Sequence, residues 1–231
     1  MNNILFEHTE HHKGNRLSDV ILGGQDGLVN TLGVILGVAA ASQETRIVLA
    51  AGLAATFAES VSMAAVAYTS KMAERDYFKS ELEREKREIK EIPEMEVEEI
   101  RDIYRKKGFH GKLLEQIVKV ITSNEKIWLQ TMMRDELNLE PVVNKRVYKS
   151  TFYVGISALS GSLVPLMPFI FLPISLGIYL SIILSAMALF IVGAIKARIT
   201  VGNWGKSGIE LMLIGIVSAL IGYGVGLIFK V

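Results

Sequence analysis

VILGGQDGLVNTLGVILGVAAA, residues 20–41, runs for the length of a lipid bilayer with Asp26 as its sole charged side chain. A spanning helix needs roughly 20 mostly apolar residues. Lipid also leaves the backbone no water to bond with, so a spanning segment must be a helix or a closed barrel. The run shows no strict alternation of apolar and polar residues, which excludes a barrel strand. Four further stretches read the same way, at about 46–70, 149–171, 174–196 and 206–229. The expected fold is therefore all-α: an integral membrane protein with five transmembrane helices.

Charge is segregated along the 231 residues. Between Lys71 and Lys149 lie 18 of the 25 Lys and Arg and 17 of the 24 Asp and Glu. The chain thus divides into an N-terminal segment (1–19), transmembrane helices 1–2 (20–70), a charged helical insert (71–148) and transmembrane helices 3–5 (149–231). With the N-terminus inside, 23 basic residues fall on the cytoplasmic side and two, Arg46 and Lys230, on the other. The positive-inside rule favours that orientation. The large insert weighs less in this count, but the short 196–206 turn, with Lys196, Arg198 and Lys206, agrees with it. The polar N-terminus lacks a cleavable apolar core, so no signal peptide is expected and the first span serves as the insertion signal. Without cysteine the chain has no disulfides, thiolate metal sites or haem attachment.

KMAERDYFKSELEREKREIKEI (71–92) continues the second span without Gly or Pro, so one long helix is expected to run on into the insert. Pro93 marks its end. A second insert helix is expected over about 94–107 and a third from Gly111 to about Leu139, making a three-helix cytoplasmic unit. Leu114, Ile117, Val118 and Ile121 recur at helical spacing and face inward. PLMPFIFLP (165–173) reads as a short outer link. Gly33 and Gly37 form a small-xxx-small face for close helix packing.

An ionisable group within a span is costly and by default marks function. Asp26 lies roughly 10 Å from the cytoplasmic edge on the first helix, at the depth of Met63 on the second, with Glu59 one turn deeper. Two carboxylates and a thioether suit Fe²⁺ or its neighbours better than Mg²⁺ or Ca²⁺. The plainer alternative is that Asp26 and Glu59 bond to Asn30 or to serines and merely fix packing. In the insert, Glu85 and Glu88 stand at i and i+3, Glu96 and Glu99 repeat the spacing, and Glu136 follows Met132 and Met133 by one turn. Helical bundles build carboxylate metal sites in this way. Against it, charged helices mostly carry solvated ion pairs, and both methionines suit a core. His8, His11 and His12 also offer ligands, though histidines near a terminus are usually incidental.

These residues resemble the vacuolar iron transporter family of divalent metal/proton antiporters. DGLVNTLGVILGVAAA (26–41) is similar to its first-helix signature and AESVSMAAVAYTS (58–70) to its second. The ExxE pairs, the Met-Met-x-x-Glu run, LVPLMPF (163–169) and SGIELM (207–212) follow in the family's order. The resemblance implies a homodimer whose first helices line a central path, with Asp26 and Met63 as ion ligands. It implies that Glu85, Glu88, Glu96, Glu99, Met132, Met133 and Glu136 collect Fe²⁺ on the cytoplasmic side, and that protons move opposite to the metal. The substrate would be Fe²⁺, with Mn²⁺ and related divalent ions as further candidates. No permanently bound cofactor, enzymatic activity or nucleic-acid partner is expected. The membrane would be the plasma membrane in a prokaryote and the vacuolar membrane in a eukaryote. Where many members carry Gly-Glu-Tyr, this chain has Val66-Ala67-Tyr68, so one acidic group is missing. A non-transporting metal sensor or store is the alternative function. A membrane di-iron oxidase ranks last, because the Glu-x-x-His pairs of such sites are absent and His110 is out of register with the glutamates.

Overall fold

The computed structural model describes residues 12–200 and 202–230. Its helices are α1 (His12–Ser42), α2 (Thr45–Glu91), α3 (Pro93–Lys106), α4 (Gly111–Thr122), α5 (Glu125–Thr131), α6 (Asn144–Phe171), α7 (Ile174–Ile199) and α8 (Trp204–Ile228), with a π-helical turn over Met132–Glu136 after α5. Among the described residues there is no strand. Five helices, α1, α2, α6, α7 and α8, are long and apolar enough to cross a membrane. The chain forms two compact units. One holds the described residues up to Tyr68 and from Tyr148 onward; the other is Thr69–Val147. Helix α2 contributes to both, as the unbroken pattern after Ser70 requires.

The spanning unit is closed by backbone contacts where side chains are missing. A Cβ on Gly23 or Gly27 of α1 would fall 2.2 or 2.3 Å from the carbonyl oxygens of Val154 and Ala158 in α6. On the other flank, Cβ atoms on Gly222 and Gly226 of α8 would meet the carbonyls of Gly33 and Gly37 at 2.1 and 2.0 Å. The small-residue face read from Gly33 and Gly37 therefore packs against α8. Ser218 Oγ reinforces the α1–α8 seam by donating to the Val29 carbonyl at 3.1 Å, and Ser181 Oγ ties α7 to α6 by donating to the Pro165 carbonyl at 2.7 Å. Between the seams lies an apolar core of Leu32, Ile35, Leu36, Val48, Leu166 and Phe169. The outer surface is equally apolar, with Phe171, Tyr179, Ile183, Leu220 and Ile221 exposed, as lipid contact allows.

The second unit gathers its core from every helix. Ile89 of α2, Ile100 of α3, Leu114, Val118 and Ile121 of α4, Trp128 and Leu129 of α5, and Met132 and Met133 form one buried cluster. Pro93 opens α3, where its missing N–H has no consequence. Gly108, at φ +94°, ends the helix in the left-handed conformation that glycine adopts without strain.

Two expectations are corrected. The third insert helix is not continuous to Leu139: it stops at Thr122 and restarts at Glu125. Asn124 causes the restart, since its side chain accepts from the N–H groups of Lys126 and Ile127 at 3.0 and 3.2 Å. The chain from Met132 then widens into the π turn, closed by Leu137 N–H to the Met132 carbonyl at 3.1 Å. Nor is 165–173 a link, because α6 runs through Pro165 and Pro168 to Phe171. The carbonyl of Pro168 accepts from Leu172 N–H at 3.0 Å, so the turn is confined to the residues just before α7.

Backbone contact makes Gly222→Ala destabilising by about 1–3 kcal/mol of overpacking, a fall of several degrees in melting temperature. Gly224, whose added Cβ would meet nothing within 4 Å, should accept Ala without loss. Thermal melting of both variants in detergent checks the contrast.

Candidate metal sites

Asp26 on α1 and Glu59 on α2 meet through Asn30. The Asn30 Nδ2 donates to Asp26 Oδ2 at 3.2 Å, one turn back on its own helix, and to Glu59 Oε1 at 3.1 Å. The bond to Asn30 that the packing alternative called for is thus present. Asn30 and Glu59 also line a recess of about 310 Å³ with Thr31, Ala55, Ala58 and Ser62. Thr31 is buried, and its Oγ1 has no hydrogen-bond partner. Met63, one turn beyond Glu59, is half-buried, while the Asn30 side of α1 is exposed. Ala67, a further turn on, is buried.

The second unit holds its carboxylates differently. In α2 the residues Phe78, Leu82 and Ile89 face the apolar core, and Glu85 occupies the same stripe at i+7 from Phe78. In α3 Glu96 stands one turn before the fully buried Ile100. Both carboxylates are enclosed, with Glu85 1% and Glu96 2% exposed. Each keeps one oxygen, Oε2, without a hydrogen-bond partner. Buried charges are ordinarily paired or bound to metal, so these two oxygens are the strongest chemical signal in the unit.

Five glutamates from three elements act on one another. Glu96 is pushed up to about 7, first by burial and then by the charges of Glu99, Glu85, Glu88 and Glu136. Glu136 also rises to about 7, although the residue keeps an exposed flank. Burial again leads, followed by Glu99 and Glu85, with Arg84 opposing. Glu85 is raised by burial and held back mainly by its bond from Arg84. The two ExxE pairs and Glu136 are therefore brought into one neighbourhood. Among the described residues, no three His, Asp or Glu groups converge closely enough to hold an ion as they stand. Met132 and Met133, 0% and 3% exposed, lie in the apolar core, beside the glutamates in sequence only through the π turn. Such turns are frequent at functional sites. His8 and His11 lie outside the described residues, as does the side chain of His12.

Sequence reading missed Arg84. Its guanidinium reaches Glu81 Oε2 at 2.8 Å, Glu85 Oε1 at 3.2 Å and Glu88 Oε2 at 3.4 Å. One arginine among many charges gave no signal, but its offsets of −3, +1 and +4 from three glutamates on one helix were available.

Five apolar helices, a carboxylate pair within them and a carboxylate cluster in a separate helical unit define a multi-pass membrane protein that keeps acids where apolar side chains would pack. The chain belongs to the VIT family, which matches residues 17–227. It is 33% identical to Vacuolar iron transporter 1 of Eucalyptus grandis over 224 residues, covering 96% of this chain and 90% of that one. For Vacuolar iron transporter 1 of Arabidopsis thaliana the identity is 32%, covering 94% and 88%. A vacuolar iron transporter of Toxoplasma gondii is 30% identical, covering 95% and 77%. The names of these relatives are those of transporters, not enzymes.

Protonation follows from the glutamate shifts. Glu96 and Glu136 bind protons more tightly in the folded chain than at their ordinary 4.5. The stability they contribute is full below that ordinary value and is lost as pH rises through about 7. Metal-free protein should therefore show weaker protection of the α3 and α4 amides at about pH 8 than at about pH 5, once exchange rates are corrected for the intrinsic pH dependence of amide exchange. Glu96→Gln should slow exchange at the higher pH and converge on wild type at the lower.

Proposed function

We propose that the chain is a proton-coupled transporter that moves Fe²⁺, and with it Mn²⁺ and related divalent ions, out of the cytosol. The observation that carries this reading is the Asp26–Asn30–Glu59 constellation, which holds two carboxylates together beside a recess within spanning helices. A dehydrating cation needs such oxygens in a low-dielectric path, and Met63 adds a thioether that favours the softer end of the divalent series. The same carboxylates, emptied of metal, are the groups able to carry protons the other way. The names of the relatives support iron as the substrate.

On this reading the insert is cytoplasmic, in keeping with the distribution of Lys and Arg. Glu85, Glu88, Glu96, Glu99 and Glu136, with Met132 and Met133, collect the ion there. Hard carboxylate oxygens and soft thioethers in one group again fit Fe²⁺ and its neighbours. A homodimer completes the path. Asn30 is exposed on α1 beside the two carboxylates it bonds; hydrocarbon is a poor solvent for such a polar face, and a second copy of the chain is the simplest cover. The missing acid at Ala67 leaves proton exchange to Asp26 and Glu59 within the spans.

Fe²⁺ flux into proteoliposomes under an imposed pH gradient tests the proposal. Wild type should transport only with the gradient, and Asp26→Ala should lose at least about tenfold of the rate, as for the loss of a group that serves a metal. Flux undiminished by Asp26→Ala removes this path. Tight binding without flux in either protein leaves a sensor or store.

A further inference from the structure

Arg84 belongs to none of the acidic motifs, yet its guanidinium is shared by both members of the first ExxE pair and by Glu81. Arginine usually meets one carboxylate with two parallel N–H groups. Here Nη1, Nη2 and Nε each go to a different glutamate, Glu81, Glu85 and Glu88. A metal ion gathers carboxylates in this same way. The guanidinium stays charged at every accessible pH, so it cannot step aside by losing a proton.

We infer that Arg84 is a built-in competitor for the metal: the ion reaches Glu85 and Glu88 only as the guanidinium leaves them, and Arg84 thereby sets the affinity of the cluster. The inference rests on the reading of the insert as an ion collector. Coordination needs the lone pair that Arg84 Nη2 now occupies on Glu85 Oε1 and the space beside Glu88 Oε2, which Nε approaches to 3.4 Å. Two positive centres on the same oxygens would also repel at close range. The partnerless Oε2 atoms of Glu85 and Glu96 show that one arginine does not satisfy the cluster, so a cation of higher charge has oxygens to gain.

Departure is feasible for two reasons. The Arg84 side chain is 44% exposed while Glu85 is 2% exposed, so the guanidinium swings toward water and the carboxylate stays. Glu81, at 2.8 Å and outside the proposed ligand set, remains to hold it. A competitor of this kind keeps the cluster from trapping its ion, which a collector that passes cargo onward requires.

Co²⁺ titration of the full-length protein in detergent, followed by the cobalt absorption band and by melting temperature, tests this. Arg84→Gln should bind Co²⁺ about tenfold more tightly, melt lower than wild type without metal, and gain more on its addition. Arg84→Lys keeps the charge but cannot span three carboxylates, and should fall between the two. Co²⁺ affinity at or below that of wild type in either variant overturns the inference. Glu96→Gln separates the two readings. If it binds Co²⁺ as wild type does, the insert is not the collecting site; if it loses binding while both Arg84 variants match wild type, only the role of Arg84 fails.

Discussion

A carboxylate in apolar surroundings needs a proton, a donor or a cation, and both units of this chain are organised by that requirement. In the spanning unit the donor is an amide, with Asn30 serving Asp26 and Glu59 together. In the second unit the cation is a guanidinium, and protons supply part of the rest, since Glu96 and Glu136 rise to about 7. Neither answer is complete. Thr31 Oγ1 beside the first site and the Oε2 atoms of Glu85 and Glu96 in the second have no partner. Buried polar atoms left in this way cost about 1–3 kcal/mol each, which is a reason to look for a ligand rather than for better packing.

The spanning architecture was legible in the sequence because lipid permits so few solutions. Length, low charge and the absence of alternation fix a helix, and the residues that let two helices touch are glycines a reader can count. Gly33 and Gly37 are the clearest case, meeting Gly222 and Gly226 in α8. Inside the insert the same rules were weaker. Asn124 is an ordinary polar residue until its side chain caps α5, and the π turn at Met132–Glu136 changes register without any Gly or Pro to announce it. The prolines of α6 misled in the opposite direction. Read as a break, they are absorbed within the helix, and the Pro165 carbonyl finds Ser181 as its donor.

The candidate sites divide along the same line. Asp26 and Glu59 stand out because a charge within a span is costly and rare, whereas the insert glutamates are hidden among 17 acidic residues. A sharper signal was present and went unused: Glu85 fills an apolar position in the series Phe78, Leu82, Ile89, and Glu96 precedes Ile100 by one turn. A carboxylate that interrupts a hydrophobic stripe is more telling than the spacing of two carboxylates. Three-dimensional placement was still needed to show that Met132 and Met133 pack in the apolar core.

Placing acids at the centre of a hydrophobic cluster also ties the persistence of that cluster to its chemistry. A fold opens locally in proportion to how poorly its interior is satisfied, and transient opening is what a protease samples. With Glu85 and Glu96 walled in beside Ile89 and Ile100, whatever neutralises them also keeps the unit shut. The survival of the chain in a proteolytic environment is then a running record of how often its acids have been matched, written in turnover instead of in occupancy.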